Sequence, residues 1–148
     1  MKLYVALLAA ALGLSAADIG DAKTVYLLPM ANGLDQFLAM RLTSGNVIQV
    51  VTDAKKADVI LSDRIGAGLD QRLDDLYGNA PAASVASDDT KFVSVPVSRA
   101  RGTVFLIDRK TRSVLWSAYQ LPKNASPAEM NHIADKIAGK LGKDLKGK

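Results

Sequence analysis

The chain contains no cysteine among its 148 residues. That excludes a disulfide framework, and it removes the lipid-bearing cysteine that would tether an exported bacterial protein to a membrane. Histidine occurs once, as His132, beside Asn131 and on the helix face shared by Asp135, Lys136 and Lys143. A zinc site would need further ligands and a catalytic triad would need partners, so His132 reads as a solvated surface residue. Glutamate is as scarce: Glu129 stands alone among 15 acidic residues, the others being aspartates. Aspartate competes for nearby backbone N–H groups, so most of these acids read as turn and helix-start residues. Neither the calcium loop D-x-[DN]-x-[DN]-G nor the phosphate loop G-x-x-x-x-G-K-[ST] is present.

Long apolar runs are also missing, with one exception at the start. In "MKLYVALLAAALGLSAA", Lys2 precedes the apolar stretch Leu3–Leu14, and Ser15-Ala16-Ala17 supplies the small residues that a signal peptidase reads. Twelve apolar residues fall short of the ~20 that a transmembrane helix needs. Residues 1–17 therefore read as an export signal cut after Ala17, with Ala22 as a later site and an uncleaved anchor as the rival reading. Removing 17 residues from 148 leaves 131, enough for one domain with a single core. The expected location is periplasmic or extracellular, with no transmembrane segment in the mature chain. A net charge of +4 is mild and makes no case for nucleic acid.

What remains reads as alternating strands and helices. Lys23–Met30 is a strand stopped by Pro29, and Asn32 is the expected N-cap of a helix with Leu34, Leu38 and Leu42 on its apolar stripe, ended by Gly45-Asn46. "NVIQVVTD" and "ADVILSD" are two further strands, and the polar joint Asp53–Lys56 suits an antiparallel connection. "GLDQRLDDLYG" is a short helix presenting Leu69, Leu73, Leu76 and Tyr77. A small, polar surface loop is expected over about 78–97, and "KFVSVPV" within its far end reads as an edge strand, where Pro96 is tolerated. "GTVFLIDRKTRSVLWSAYQ" is a hairpin, with Gly102 as the expected bulge. The last helix carries the strongest start signal: Ser126 as N-cap, Pro127 first and Glu129 third, followed by Met130, Ile133, Ile137, Leu141 and Leu145. The order β-α-β-β-α-loop-β-β-α implies an α/β chain of the α+β type. The expected sheet is mixed and mostly antiparallel, of about five strands, with helices on one face.

Chemistry-bearing patterns are few. The tetrapeptide GLDQ occurs at Gly33–Gln36 and again at Gly68–Gln71, each time between an apolar run and an amphipathic one. Gly66-x-Gly68 follows a strand and opens a helix, the setting for anion binding, but Gln71 stands where a dinucleotide fingerprint needs its third glycine. The copies read as two helix starts. Carboxylates for hydrolysis would come from Asp53, Asp63 or Asp108, each at a strand end, the ordinary place for aspartate. The remaining candidates are basic. Arg99, Arg101, Arg109, Lys110 and Arg112 crowd one hairpin, with Trp116 following, and form the candidate binding patch for an envelope protein or an anionic envelope component. Few aromatics accompany them, which argues against nucleic acid. No catalytic residue, cofactor or metal is assigned.

"VIQVVTDAKKADVILSD" and "GTVFLIDRKTRSVLWSAY" together resemble small exported bacterial proteins of unknown function. More distantly, they resemble the periplasmic α/β domains of envelope accessory lipoproteins, such as the amino-terminal domain of the Tol–Pal translocation protein and the curli-secretion lipoprotein. The resemblance implies export, a compact α/β fold, and binding or assembly in the envelope without catalysis. It carries no catalytic residue, and the missing cysteine departs from the lipoprotein members. The alternative expectation is a small periplasmic hydrolase or nucleotide-binding enzyme using the Gly66–Asp70 turn with Asp63.

Overall fold

The computed structural model describes residues 18–78 and 102–147. The expected export signal, most of the loop expected at about 78–97 with the strand expected within it, Arg99 and Arg101 lie outside the described residues. The elements are β1 (Thr24–Leu27), α1 (Leu34–Ser44), β2 (Gln49–Val50), β3 (Val59–Ser62), α2 (Ala67–Tyr77), β4 (Thr103–Asp108), β5 (Val114–Tyr119) and α3 (Pro127–Lys146). The α+β class, the element order and five strands are as the sequence implies.

The arrangement of the sheet differs from expectation in two ways. Its order is β2-β1-β3-β4-β5, with β1 parallel to both β2 and β3 and the β3–β4 and β4–β5 pairs antiparallel. The sheet is thus evenly mixed, and β2 and β3 do not pair with each other. The chain between them crosses β1 through a 3-10 turn at Ala54–Lys56, capped by Asp53, whose Oδ1 accepts from the Lys55 N–H at 3.0 Å. Buried Ala54 and Ala57 let this crossover lie close to the sheet.

The helices also cover both faces instead of one. Leu34, Leu38 and Leu42 of α1 and Ile133, Ile137 and Leu141 of α3 pack with Val25, Val59, Leu61, Val104 and Leu106. Leu69 and Leu73 of α2 pack with Ile60, Ile107 and Ala57 on the other side. Because successive strand side chains alternate between faces, Ile60 and Ile107 turn away from their neighbours in β3 and β4 toward α2. All four residues of β3 are buried. That is the state of a strand covered on both sides, and it explains the unbroken apolar run "VIL".

Local signals account for most helix ends. The Ser126 hydroxyl accepts from the Glu129 N–H at 3.3 Å, while Glu129 Oε1 accepts from the Lys123 N–H at 3.0 Å. Asn32, however, is not the N-cap of α1. Asn32 and Gly33 both adopt left-handed backbone, φ 58° and 70°, and the helix begins at Leu34. Asp35 then reaches back to accept from the Met30 N–H at 3.0 Å. The β-bulge lies opposite Leu106/Ile107, where Trp116 and Val114 are the partners and Leu115 is the extra residue, and not at Gly102. Gly102 serves a different purpose: at φ 84°, an added Cβ would meet the Gln120 carbonyl oxygen at 1.8 Å.

Candidate functional site

The hairpin tip between β4 and β5 is a built turn. Asp108 Oδ1 accepts from the Lys110 N–H at 2.9 Å, the Thr111 N–H at 2.7 Å and the Thr111 hydroxyl at 3.0 Å. Arg112 closes it in left-handed backbone, φ 58°. This geometry sends the basic residues in different directions. The Arg109 guanidinium donates to the carbonyls of Lys55 and Ala57, the latter at 3.2 Å, and lies 4.8 Å over the Tyr77 ring. The Tyr77 hydroxyl in turn donates to the Ala54 carbonyl at 2.8 Å. Burial raises the Tyr77 phenol above its ordinary range, and the Arg109 cation opposes that shift. Arg112 pairs with Asp74 and, at 3.8 Å, with Asp70, both on α2. Arg109 and Arg112 therefore fasten the hairpin to α2 and to the crossover.

Trp116 lies on the opposite face. Its indole N–H donates to Asp144 of α3 at 2.6 Å, and Lys140 sits 5.7 Å over its ring. Of the described residues in the candidate patch, Lys110 alone is exposed, while Arg109, Arg112 and Trp116 are half-buried. The patch is thus not one surface: Arg109 and Arg112 face α2, Trp116 faces α3, and Lys110 points outward at the tip. A cleft of about 290 Å³ beside the tip is lined by Asp18, Asp21, Asp58, Asp108, Arg109 and Lys110. Three of its carboxylates accept from backbone N–H groups: Asp18 from Gly20, Asp108 from Lys110 and Thr111, and Asp58 Oδ2 from Lys23 and Thr24 at 3.0 and 3.2 Å. Those bonds, the one from Lys23 first, hold the Asp58 carboxyl below the usual range against the opposing effect of burial. No group of carboxylate and imidazole side chains suited to a metal ion occurs among the described residues.

Asp63 is engaged as well. Its Oδ2 accepts from the Ala31 N–H and its Oδ1 from Arg64 Nε, at 3.0 and 3.1 Å. That bond joins the loops that follow β1 and β3. Those strands are adjacent and parallel, and their helices leave for opposite faces, α1 with α3 on one side and α2 on the other. The two GLDQ copies mark these departures in different registers. Gly33 is the N-cap of α1, whereas Gly66, at φ 105°, is the N-cap of α2 and Gly68 lies inside its first turn.

The chain matches none of the protein-family models, curated proteins or solved structures compared with it.

The feature that sequence reasoning passed over is the outer edge of β5. Gln120 donates to the Gly102 carbonyl at 2.9 Å, which makes that pair a hydrogen-bonded one. The alternation of an antiparallel ladder then gives the pairs Val104/Ala118 and Leu106/Trp116 to the β4 side. The N–H and C=O groups of Ser117 and Tyr119 consequently point away from β4, and no further strand pairs with β5 among the described residues. Val114, Tyr119 and Leu121 expose 46%, 56% and 71% of their surface along this margin. The cue in the sequence was "VLWSAY", six residues with neither charge nor proline.

Proposed function

We propose that this chain is a non-enzymatic binding or assembly component of the bacterial cell envelope, exported and then joined to a partner protein along the edge of β5. The observation that carries the reading is that edge. Sheet edges are ordinarily blunted by lysine, proline or shortness, because unpaired backbone groups recruit other strands. Within Val114–Tyr119 there are none of these devices, and among the described residues no strand pairs with the outward backbone groups of Ser117 and Tyr119, which exposed apolar side chains flank. An extended partner segment adding to it would gain main-chain hydrogen bonds, with specificity from alternate side chains. The export signal and the resemblance to envelope accessory domains supply the compartment.

The test places a photo-crosslinking residue at Tyr119 in cells, with one at exposed Thr52 as control. The expected result is an adduct at position 119 that disappears when Ser117→Pro removes an outward N–H. Adducts equal at both positions, or untouched by the proline, would end the reading. Amino-terminal sequencing of the exported form checks cleavage after Ala17.

A second reading, a small hydrolase or nucleotide-binding enzyme at the Gly66–Asp70 turn with Asp63, is favoured by one observation. Helices leaving adjacent parallel strands for opposite faces create the crevice where open α/β sheets bind ligands. Titrating nucleotides with divalent metals would stabilise the protein by about 2.7 kcal/mol at a hundredfold excess over Kd. An unmoved Tm with every nucleotide removes this reading.

A further inference from the structure

The outer face of α3 has a composition that packing does not require. Lys136, Lys140, Lys143 and Lys146 are all exposed, and at about 100° per residue they fall within an arc of roughly 120°. His132 lies in the same arc and is exposed too. Glu129 falls in the same arc about two turns before Lys136 and accepts from the Lys123 N–H, while the nearer acids sit at the two margins and are engaged elsewhere. Asp135 pairs with Arg41 at 3.4 Å, and Asp144 accepts from the Trp116 indole at 2.6 Å. Among the described residues every ion pair is made by an arginine, and none of these lysines has one.

Two structural explanations fall short. Cations near a helix C-terminus offset the macrodipole, but the effect is confined to the last turn and accounts only for Lys143 and Lys146. Lysines at i, i+4 and i, i+3, as in Lys136/Lys140 and Lys140/Lys143, repel one another and weaken the helix. Lys140 lies over the Trp116 ring, but the row as a whole repels itself, and an anionic ligand would relieve that repulsion. Gly139 stands within the row with nothing within 4 Å of its missing Cβ, so no side chain of its own separates the lysines there. A groove of about 410 Å³ between α1 and α3 runs beside the row, lined by Gly139 itself, Arg41, Lys143 and Lys146, with Asp135, the ion-pair partner of Arg41, as its one acid.

We propose that this face docks the protein on an anionic lipid surface. A helix presenting lysines over about 15 Å meets a plane of phosphates along its length. Lysine suits that task, as a mobile point charge without the fixed two-pronged geometry of arginine. The His132 imidazole is the only ring exposed on the face, too little to stack successive bases, and Trp116 lies beneath Lys140. Nor does the face carry a large apolar side chain to insert into acyl chains, so attachment is electrostatic and released by salt. This face adjoins β5 at Trp116, but its charge does not depend on the outer edge of that strand.

The experiment measures partitioning of the full chain onto vesicles of phosphatidylcholine alone and mixed with phosphatidylglycerol. The ratio of the two isolates the electrostatic part, because any apolar contribution from residues 1–17 enters both. Each lysine near an anionic surface contributes about fivefold. Lys136→Gln with Lys143→Gln should therefore lower the ratio roughly 25-fold while leaving Tm unchanged or raised. The Lys136→Arg, Lys143→Arg pair should bind like the parent, and about 0.5 M salt should bring the parent's ratio near one. A parent ratio near one at low salt, a glutamine pair that binds normally, or an arginine pair that does not bind would each overturn the proposal. So would binding to duplex DNA without preference for anionic vesicles.

Discussion

The Trp116 indole N–H donates to the Asp144 carboxylate at 2.6 Å, tying the edge strand β5 to the last helix α3. Hydrogen bonds to charged groups contribute more than neutral ones, but this pair is partly exposed, so Asp144→Ala should cost about 1 kcal/mol. Trp116 is the chain's single tryptophan. Its fluorescence therefore reports both the unfolding transition and the local change directly.

At Gly102 a side chain has no room and the backbone no tolerance. Gly102→Ala should destabilise by roughly 2–4 kcal/mol, from the clash with the Gln120 carbonyl and the positive φ together. Thermal melting of the variant checks this. A loss under about 1 kcal/mol would mean that the close approach of Gly102 to Gln120 is relaxed easily.

Proline separates the two sides of β5. Ser117→Pro removes an N–H that faces outward and should shift stability by no more than about 1 kcal/mol. Ala118→Pro removes a bond to β4 in a buried position and should cost at least about 2 kcal/mol. Equal losses in denaturant titration would contradict the assigned alternation.

Arg109 and lysine are not equivalent at the hairpin tip. Arg109→Lys keeps the charge but loses the forked donation to the Lys55 and Ala57 carbonyls and the stacking on Tyr77. The expected loss is about 1–2 kcal/mol by denaturant midpoint.

Acid stability should depend on Asp58. Its folded carboxyl titrates below the ordinary aspartate value of about 3.9, so its contribution is complete above that pH. It fades as pH falls through the lower folded value, where the protonated acid no longer accepts from Lys23 and Thr24. Melting temperatures across this range should drop less steeply for Asp58→Asn than for the parent.

Much of the local structure was legible. Ser126, Pro127 and Glu129 announced α3 because caps act within one turn, and Leu69, Leu73 and Tyr77 gave the buried side of α2 by spacing alone. Asn32 misled because an asparagine before an apolar stripe resembles an N-cap whether or not its backbone continues into left-handed turns. The candidate patch misled for another reason. Arg109, Arg112 and Trp116 are close in sequence, but the tight Asp108 turn and the two faces of a strand send their side chains apart.

By itself the sequence determined which segments become strands and helices, because periodicity, caps and turn residues act over a few positions. The unbroken apolar run at Val59–Leu61 even carried the sign of a strand buried on both sides. Only the tertiary structure decided that β1 lies between β2 and β3, that α2 crosses to the other face, and that no other strand among the described residues pairs with the outer side of β5. Strand partners and crossovers are set by contacts between residues far apart in the chain, where burial of whole faces outweighs any local preference. The same nonlocal packing turned two arginines inward and left a row of lysines facing out.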